Sequence, residues 1–343
     1  IKPFPYTTLF RSNGFMRKYI LKRLLISVVI LFFVALIIYT IMRSIPTSYV
    51  EAIARERSTQ PGSKSYTEWL EQLNRIYGLD RGILQGFFMW LGNAVRGDFG
   101  DSWHFTIPVT QKFAEVIWYS FALGAVAFIL ELIIAIPLVI LSARKQYSRA
   151  DYTITVIALM GISLPTFFFA TILKLVFSIR LGWLPLFGIV GRFYEQLDTF
   201  GKIMDMAKHS ILPVMTLVII SIGGLMRYTR TNMLEVLNSD YIRTARAKGL
   251  SENRVINYHA FRNTLIPIVT IVGGTLPGLF SGALITETLF QIPGIGYTSY
   301  QAMVGGDIPF SMFYLVFLAS LTLLGTLIAD ILYAVVDPRV RVS

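Results

Sequence analysis

Six long runs of apolar residues divide the chain, and most approach the roughly 20 residues that an α-helix needs to cross a membrane. They cover Leu24–Met42, Trp118–Leu141, Ile154–Ser178, Ile211–Met226, Leu265–Ile285 and Met312–Val336. The fourth run is the shortest. The pattern predicts an all-α, polytopic membrane protein with six transmembrane helices.

The composition supports a membrane protein and excludes several other classes. Of the 343 residues, 54% are hydrophobic and only 15% are charged, whereas soluble proteins carry roughly 25% charged residues. Disordered and collagen-like chains are excluded by the 14% aromatic content and by only 26 glycines. The chain has no cysteine, which removes disulfides, thiolate metal sites and cysteine nucleophiles together.

The net charge of +11 comes from basic residues that flank the apolar runs, which indicates membrane topology and not a nucleic-acid partner. Lys and Arg number six before span one, three after span two, seven after span four and two in the tail, against four after span three and none after span five. The long 43–117 loop has eight basic and eight acidic residues and is too long to inform orientation. Both termini are therefore predicted to be cytoplasmic.

The first fifteen residues show no periodicity, and a basic flank begins at Met16. Residues 1–15 are interpreted as a non-native or upstream-translated leader; a signal peptide fits poorly, because the first apolar run is long and no A-x-A site follows it. We expect the first span and a long external loop over 16–117, a core of spans two to six over 118–336 with a cytoplasmic loop at 227–264, and a cytoplasmic tail over 337–343.

The long external loop contains one predicted helix of its own. Ser65 and Glu68 have the spacing of a capping box, and Gly78 is placed to end the helix. One face of that helix is apolar and is expected to bury against a local core, the membrane surface or a partner protein, with a local core favoured. It consists of Trp69, Leu70, Leu73, Ile76 and Tyr77.

Three charged residues lie inside predicted spans, where ionisable groups are functional hypotheses by default. Lys174 is expected to snorkel to the interface. Glu131 is mid-span and either faces a water-filled path or bonds to a neighbouring helix. Asp330 is expected to have an interfacial or interhelical partner. An ion- or proton-coupled secondary transporter, with Glu131 and Asp330 as coupling groups, is the alternative function that these residues leave open.

Gly274, Gly278 and Gly282 recur every fourth residue in the fifth run, which predicts a helix face that another helix can approach closely. Prolines within or near the spans predict kinks whose freed backbone groups the neighbouring segments must satisfy. They are Pro137, Pro165, Pro213 and Pro277.

No catalytic signature is present in the sequence. The P-loop pattern, H-E-x-x-H and G-x-S-x-G are all missing, and His104, His209 and His259 are far apart. A polytopic membrane enzyme and a metal site are therefore disfavoured, and energy for transport must come from a partner chain.

The loop over 238–267 is the most informative segment. Ser239 or Asp240 can cap a first short helix, Gly249 can end it in the left-handed conformation, and Ser251 can cap a second helix that runs toward Arg262. Ala245 and Ala247 lie beside basic residues on the first helix and are expected to be exposed. Such a helix suits docking into a groove of another protein.

This loop resembles the "EAA" loop of binding-protein-dependent ABC importer permeases of the dipeptide, oligopeptide and nickel group. The pattern D-Y-x-R-T-A-R-A-K-G-L is matched from Asp240 to Leu250. The pattern V-x-x-x-H-x-x-R-N-x-x-x-P is matched by Val255, His259, Arg262, Asn263 and Pro267. The segments Arg96–Gly100 and Pro293–Tyr297 also resemble external features of the family. One departure is Arg243-Thr244-Ala245, which stands where many permeases have Glu-Ala-Ala.

The resemblance implies a type I ABC importer permease-like bundle with a cytoplasmic coupling helix, in a bacterial or archaeal cytoplasmic membrane. Its implied partners are a second permease subunit, two ATP-binding subunits and an external solute-binding protein. No cofactor is implied in this chain, since ATP and Mg would be used by the ATPase. The residues implied to couple to the ATPase are Asp240, Tyr241, Arg243, Thr244, Ala245, Arg246, Ala247, Lys248, Gly249 and Leu250. Peptides are the first choice of substrate, while nickel chelates, glutathione-like peptides and opines stay open.

Overall fold

The computed structural model describes residues 13–44, 48–76 and 78–336. Within them the chain is helical and contains no β-strand. The first twelve residues of the predicted leader, Tyr77 and the predicted tail 337–343 lie outside the described residues. The α-helices are, in chain order, α1 Asn13–Ser44, α2 Ser48–Ser58, α3 Tyr66–Ile76, α4 Ile83–Ala94, α5 Val109–Arg144, α6 Arg149–Ser163, α7 Thr166–Leu173, α8 Thr199–Leu237, α9 Asp240–Ala247, α10 Glu252–Arg254, α11 Phe261–Thr275, α12 Leu284–Phe290, α13 Ile295–Val304 and α14 Ile308–Val336.

Four single helices in the described part of the chain are long and apolar enough to cross a membrane, namely α1, α5, α8 and α14. Two further spans are bent pairs of helices, one over 149–180 with a 107° bend and one over 252–280 with a 48° bend. Counting each bent pair as one span gives the six that the apolar runs predict.

The third span is broken at Pro165, where the sequence predicts a kink. Leu164, between α6 and α7, is extended, with φ −79° and ψ 129°. The cause is Pro165, because a proline ring disfavours the helical conformation of the residue before it. Beyond α7 the chain continues as a π-helix over Lys174–Arg180.

The glycine-lined helix face that the sequence predicts in span five is not formed. Gly274 lies in α11, Gly278 lies in a 3₁₀ segment over Leu276–Phe280, and Gly282 lies in the non-helical break before α12 with φ +79°. The three glycines therefore do not stack on one helix. Gly282 still permits a close approach, since a Cβ there would come within 3.0 Å of the Gly296 backbone.

The fourth span is longer than predicted. α8 continues for 39 residues through Pro213, which does not end it. The apolar run marks only the middle of this helix, because both ends carry polar faces. Asp198 caps its first turn by accepting a hydrogen bond from the Gly201 N–H at 2.9 Å.

The described residues form two compact units. The first combines the chain up to Ala114 with Ser299–Ile331, and the second contains Glu115–Thr298 and the chain from Leu332. The predicted boundary near residue 117 thus has a counterpart at Ala114, but span six groups with the first unit. In that unit Asp330 forms an ion pair with Arg23 of α1 at 3.2 Å, so its expected interhelical partner is confirmed.

The loop over 43–117 builds a local core inside the first unit, as predicted. The backbone N–H of Ser65 donates to Glu68 Oε2 at 2.8 Å, which lowers the pKa of the Glu68 carboxyl. Leu73 is fully buried with residues of α1, α2 and α4, whereas Ile76 is 63% exposed and does not belong to the buried face.

In the second unit, α6 and α8 approach so closely that their backbones touch. A Cβ at Gly161 would come within 3.0 Å of the Ile219 carbonyl oxygen, and a Cβ at Gly223 would come equally close to the Ala158 carbonyl. Small residues permit this contact, which is how membrane helices gain packing energy without a hydrophobic driving force.

Candidate functional site

α9 is a two-turn helix between two spans, with one buried and one exposed side. Ile242 and Ala245 lie in an apolar cluster with Met233 of α8 and with Val255 and Ala260 of the π-helix that follows α10. The expectation that Ala245 is exposed is wrong, because residues three apart share a helix face and Ala245 follows Ile242 inward.

The exposed side of α9 carries most of the residues that the motif singled out. Arg243 and Asp240 pair at 3.4 Å with side chains 72% and 96% exposed. Ala247 is exposed, as predicted, and the basic residues outnumber the single acidic one. The exposed motif residues are Asp240, Tyr241, Arg243, Thr244, Arg246, Ala247, Lys248 and Gly249, and Leu250 is half-buried.

The two ends of α9 are formed differently from each other. Gly249 follows the last turn with φ +74° and ends the helix as predicted. Ser239 precedes the helix, but its hydroxyl donates to the Val236 carbonyl of α8 at 2.6 Å and does not cap α9.

The predicted second short helix begins after Ser251 but does not end near Arg262. α10 runs into a π-helix over Val255–Ala260 and then directly into α11. His259 is half-buried in this segment, and its carbonyl accepts the Asn263 amide at 2.7 Å. The segment after α9 is therefore the beginning of span five itself.

An ion pair ties α9 to the start of span five. The Arg246 guanidinium donates to both carboxylate oxygens of Glu252, at 3.1 and 2.7 Å. This hydrogen bonding raises the pKa of Arg246. α9 thus packs against the ends of two spans and is bonded to one of them.

A second ion pair joins α5, α6 and α8. Arg230 of α8 donates to both oxygens of Asp151 at 3.0 and 2.8 Å, a bidentate geometry. Asp151 also accepts the Ser142 hydroxyl and the Tyr147 N–H. Its side chain is only 4% exposed. These contacts fix the ends of three helices in the second unit near the apolar cluster beneath α9.

Glu287 is a buried acidic residue that the sequence analysis did not single out. It is fully buried and accepts hydrogen bonds from the Ser120 hydroxyl, the Ala283 N–H and the Tyr297 N–H, at 2.6, 2.9 and 3.0 Å. Gly294 and Gly296 leave room for its carboxylate, since a Cβ at either would come within 3.0 Å of it. The sequence signal for this site was the Pro293–Tyr297 segment, because its two glycines provide the space that the Glu287 carboxylate occupies.

Asp307 has a similar role in the first unit. It is fully buried, caps α14 by accepting the Phe310 N–H at 3.1 Å, and accepts the His104 N–H and the Ser102 hydroxyl. The segment Arg96–Gly100 leads into the same loop, and Asp98 there accepts the Gly100 N–H at 2.9 Å.

The two remaining charges inside spans have different surroundings. The Lys174 ammonium donates to the Leu289 carbonyl at 2.6 Å and lies 4.1 Å from the Phe187 ring centre, and its extension to the interface stays a prediction. Glu131 is half-buried and lines a cavity between α5, α8 and the break in span five. No ion pair among the described residues includes Glu131 or Lys174.

Comparison with known sequences identifies the family. The profile of the family described as "Binding-protein-dependent transport system inner membrane component" matches residues 135–342. The chain belongs to this family. It is a multi-pass membrane permease, and permeases of this kind work with an ATPase and a solute-binding protein.

Several relatives of this permease resemble it over nearly its full length. The oligopeptide transport system permease protein AppB of Bacillus subtilis is 39% identical over 327 residues, which are 95% of this chain and 100% of the relative. OppB of Haemophilus influenzae, also an oligopeptide permease, is 34% identical with the same coverage of both chains. The dipeptide permease DppB of Escherichia coli K12 is 33% identical over 342 residues, 95% of this chain and 99% of the relative.

Membership of this family favours the ABC permease over the secondary transporter, the alternative that the sequence left open. The family and the relatives are transport subunits of ABC systems, not enzymes, and they give no support to a proton-coupled secondary transporter. The resemblance drawn from the Asp240–Leu250 motif is confirmed at the level of the family.

Proposed function

We propose that this permease forms part of the membrane path of an ATP-driven importer of di- or oligopeptides. The substrate class is supported by the relatives, whose names describe oligopeptide, di/tripeptide and dipeptide transport. The importer would contain a second permease subunit, two ATP-binding subunits and an external solute-binding protein. ATP and Mg would be bound by the ATPase, and this chain would hold no cofactor.

The orientation follows from the distribution of basic residues. Both termini and the loop that contains α9 would face the cytoplasm, because the segments assigned to that side carry the excess of Lys and Arg. The protein would lie in the cytoplasmic membrane of a bacterium or archaeon. The loop 43–117 and the Pro293–Tyr297 segment would then face the external solute-binding protein.

The observation that carries the coupling proposal is the two-sided geometry of α9. Its inner residues Ile242 and Ala245 are anchored in the bundle, and its outer residues Tyr241, Arg243 and Lys248 are free to enter a cleft of the ATPase. When the ATPases close on ATP, α9 would move with the subunit that holds it. Since Arg246 bonds α9 to Glu252 at the start of span five, that movement would shift the span and change access to the path.

Purification of the assembly in mild detergent tests this function. Copurifying proteins that carry a P-loop, together with a second permease, are expected. Charge reversal on the outer face, Arg243→Glu, should reduce the recovered ATPase, because it replaces a 72% exposed docking residue without touching the buried core. Arg55→Glu on the exposed surface of α2 is the matched control. A permease that purifies alone and transports without ATP would contradict the proposal.

A further inference from the structure

A cavity of about 210 Å³ lies inside the second unit, beside the middle of α5. Ser120, Gly124 and Glu131 of α5 line it together with Ser221 of α8, and Gly282 and Ala283 complete the wall from the break in span five. Phe128, Leu217 and Leu279 make much of the remaining wall apolar, so the polar groups in the lining are few. Glu131 is the one ionisable side chain in the lining.

The wall of the cavity includes non-helical backbone from the break in span five, where the Ala283 N–H donates to Glu287. Residues 281–283 belong to no helix, although they lie between two apolar segments of a predicted span. Inside a membrane, irregular backbone is tolerated only where protein buries it or where it lines a water-filled cavity, since lipid cannot satisfy its polar groups. Broken helices in membrane transporters mark substrate sites for the same reason.

Glu131 has no positive partner in the described part of the chain. No ion pair there includes it, and no Lys, Arg or His lines the cavity. Carboxylates inside membranes normally pair with a cation or mark a substrate pathway. A proton relay would need a second titratable group, and the cavity wall provides none.

We propose that Glu131 lines the translocation path and binds the positively charged groups of the passing peptide. This inference rests on the proposed function. The carboxylate would supply the counter-charge that an ammonium group needs when it leaves bulk water, and Ser221 would hold a further hydrogen-bonding position in the same cavity. Glu131 therefore sets a preference for cationic over acidic peptides.

The test measures ATP-dependent uptake by the complete importer in proteoliposomes, with the solute-binding protein present. Two tripeptides that differ only in a central lysine or glutamate compete, and each rate is normalised to the separately measured affinity of the binding protein. Glu131→Gln should reduce the preference for the lysine peptide about tenfold, the value of one hydrogen bond to a charged group. Glu131→Asp should retain most of the preference, since the charge is kept.

Glu115→Gln is the matched control, because it makes the same change at an exposed position on the same helix. An unchanged peptide ratio in Glu131→Gln would overturn the inference, as would an equal loss of both peptides, which would indicate a structural role. If Glu131→Gln does not assemble, the same measurement is made on Ser221→Lys. This variant places an ammonium in the cavity and should abolish the preference for the lysine peptide. An unchanged ratio in that variant also overturns the inference. Wild-type vesicles without any ATP-dependent peptide uptake would instead refute the proposed function.

Discussion

Ser120 and Glu287 are 167 positions apart in the chain, yet the Ser120 hydroxyl donates a 2.6 Å hydrogen bond to the Glu287 carboxylate. The same hydroxyl accepts the Ile295 N–H at 2.7 Å. Ser120 of α5 thus contacts both the buried Glu287 carboxylate and the backbone of the Pro293–Tyr297 turn.

Removal of this carboxylate should destabilise the permease. Glu287→Ala leaves one hydroxyl and two backbone N–H groups without their acceptor, and we expect a loss of about 3 kcal/mol. The measurement is the thermal unfolding midpoint of the detergent-solubilised assembly. Glu235→Ala, at an exposed position of α8, is the control. Equal midpoints for the two variants would show that the Glu287 hydrogen bonds contribute nothing to stability.

The contact between α6 and α8 can be tested with two adjacent glycines. Gly223→Ala would place a Cβ within 3.0 Å of the Ala158 carbonyl, whereas a Cβ at Gly224 meets nothing within 4 Å. Gly223→Ala should force the helices apart and cost about 1–3 kcal/mol. Gly224→Ala should be neutral or stabilise by up to about 1 kcal/mol, because alanine favours helix. Thermal unfolding of both variants gives the comparison, and a less stable Gly224→Ala variant would contradict the observed packing.

The Asp151–Arg230 pair should show strong coupling in a double-mutant cycle. Asp151→Ala leaves the 28% exposed guanidinium without its bidentate partner, and we expect a loss of about 1–3 kcal/mol. Combining it with Arg230→Met should cost less than the sum of the two single changes, because the double variant has no unpaired charge. Unfolding of the four proteins provides the coupling energy. Strictly additive losses would mean that the 2.8 Å contact between Asp151 and Arg230 contributes no interaction energy.

Coupling to the ATPase should depend on the left-handed residue that ends α9. Gly249→Val puts a β-branched residue at φ +74°, which is strained and shifts the end of the helix. We expect peptide uptake per ATP hydrolysed to fall about tenfold, while the amount of protein in the membrane is unchanged. Gly62→Val is a matched control, since its φ is +76° and a Cβ at either glycine meets nothing within 4 Å. Equal transport stoichiometry in both variants would remove α9 from the coupling mechanism.

Topology can be determined directly because the natural sequence has no cysteine. A single cysteine at Lys248 should be protected from a membrane-impermeant maleimide in intact cells and react after lysis. A single cysteine at Gln60, in the turn between α2 and α3, should react in intact cells. Labelling of both positions from the same side would refute the assignment of cytoplasmic termini.

Local physics explains which elements could be predicted. The apolar runs locate the spans because burial in lipid requires about 20 apolar residues whatever the tertiary arrangement. Gly249 and the Ser65–Glu68 capping box were predictable for a similar reason, since both depend on backbone geometry within a few residues. The break at Leu164 also follows from the next residue, since Pro165 predicts a kink at this position.

The sequence predictions fail, or are incomplete, where the surroundings of a residue depend on other segments of the chain. Ala245 looked like an exposed docking residue, but Met233 and Val255 bury it. Lys174 was expected to extend to the membrane interface, and only the fold provides the Leu289 carbonyl, 115 positions away, that accepts a hydrogen bond from its ammonium. The glycine spacing in span five suggested one helix face, and the 3₁₀ segment and Gly282 divided that face between separate elements.

The sequence by itself determined the helical class, the six apolar spans and, through the Asp240–Leu250 motif, the family. These features are encoded in short stretches whose hydrophobicity, charge and backbone preference act locally. Only the tertiary structure decided that α9 is bonded to span five by Arg246 and Glu252, that Glu287 closes the Pro293–Tyr297 turn and that Glu131 faces a cavity. Each of these features joins groups from different elements of the fold. Hydrogen bonds and ion pairs form only where the fold brings both partners within about 3 Å.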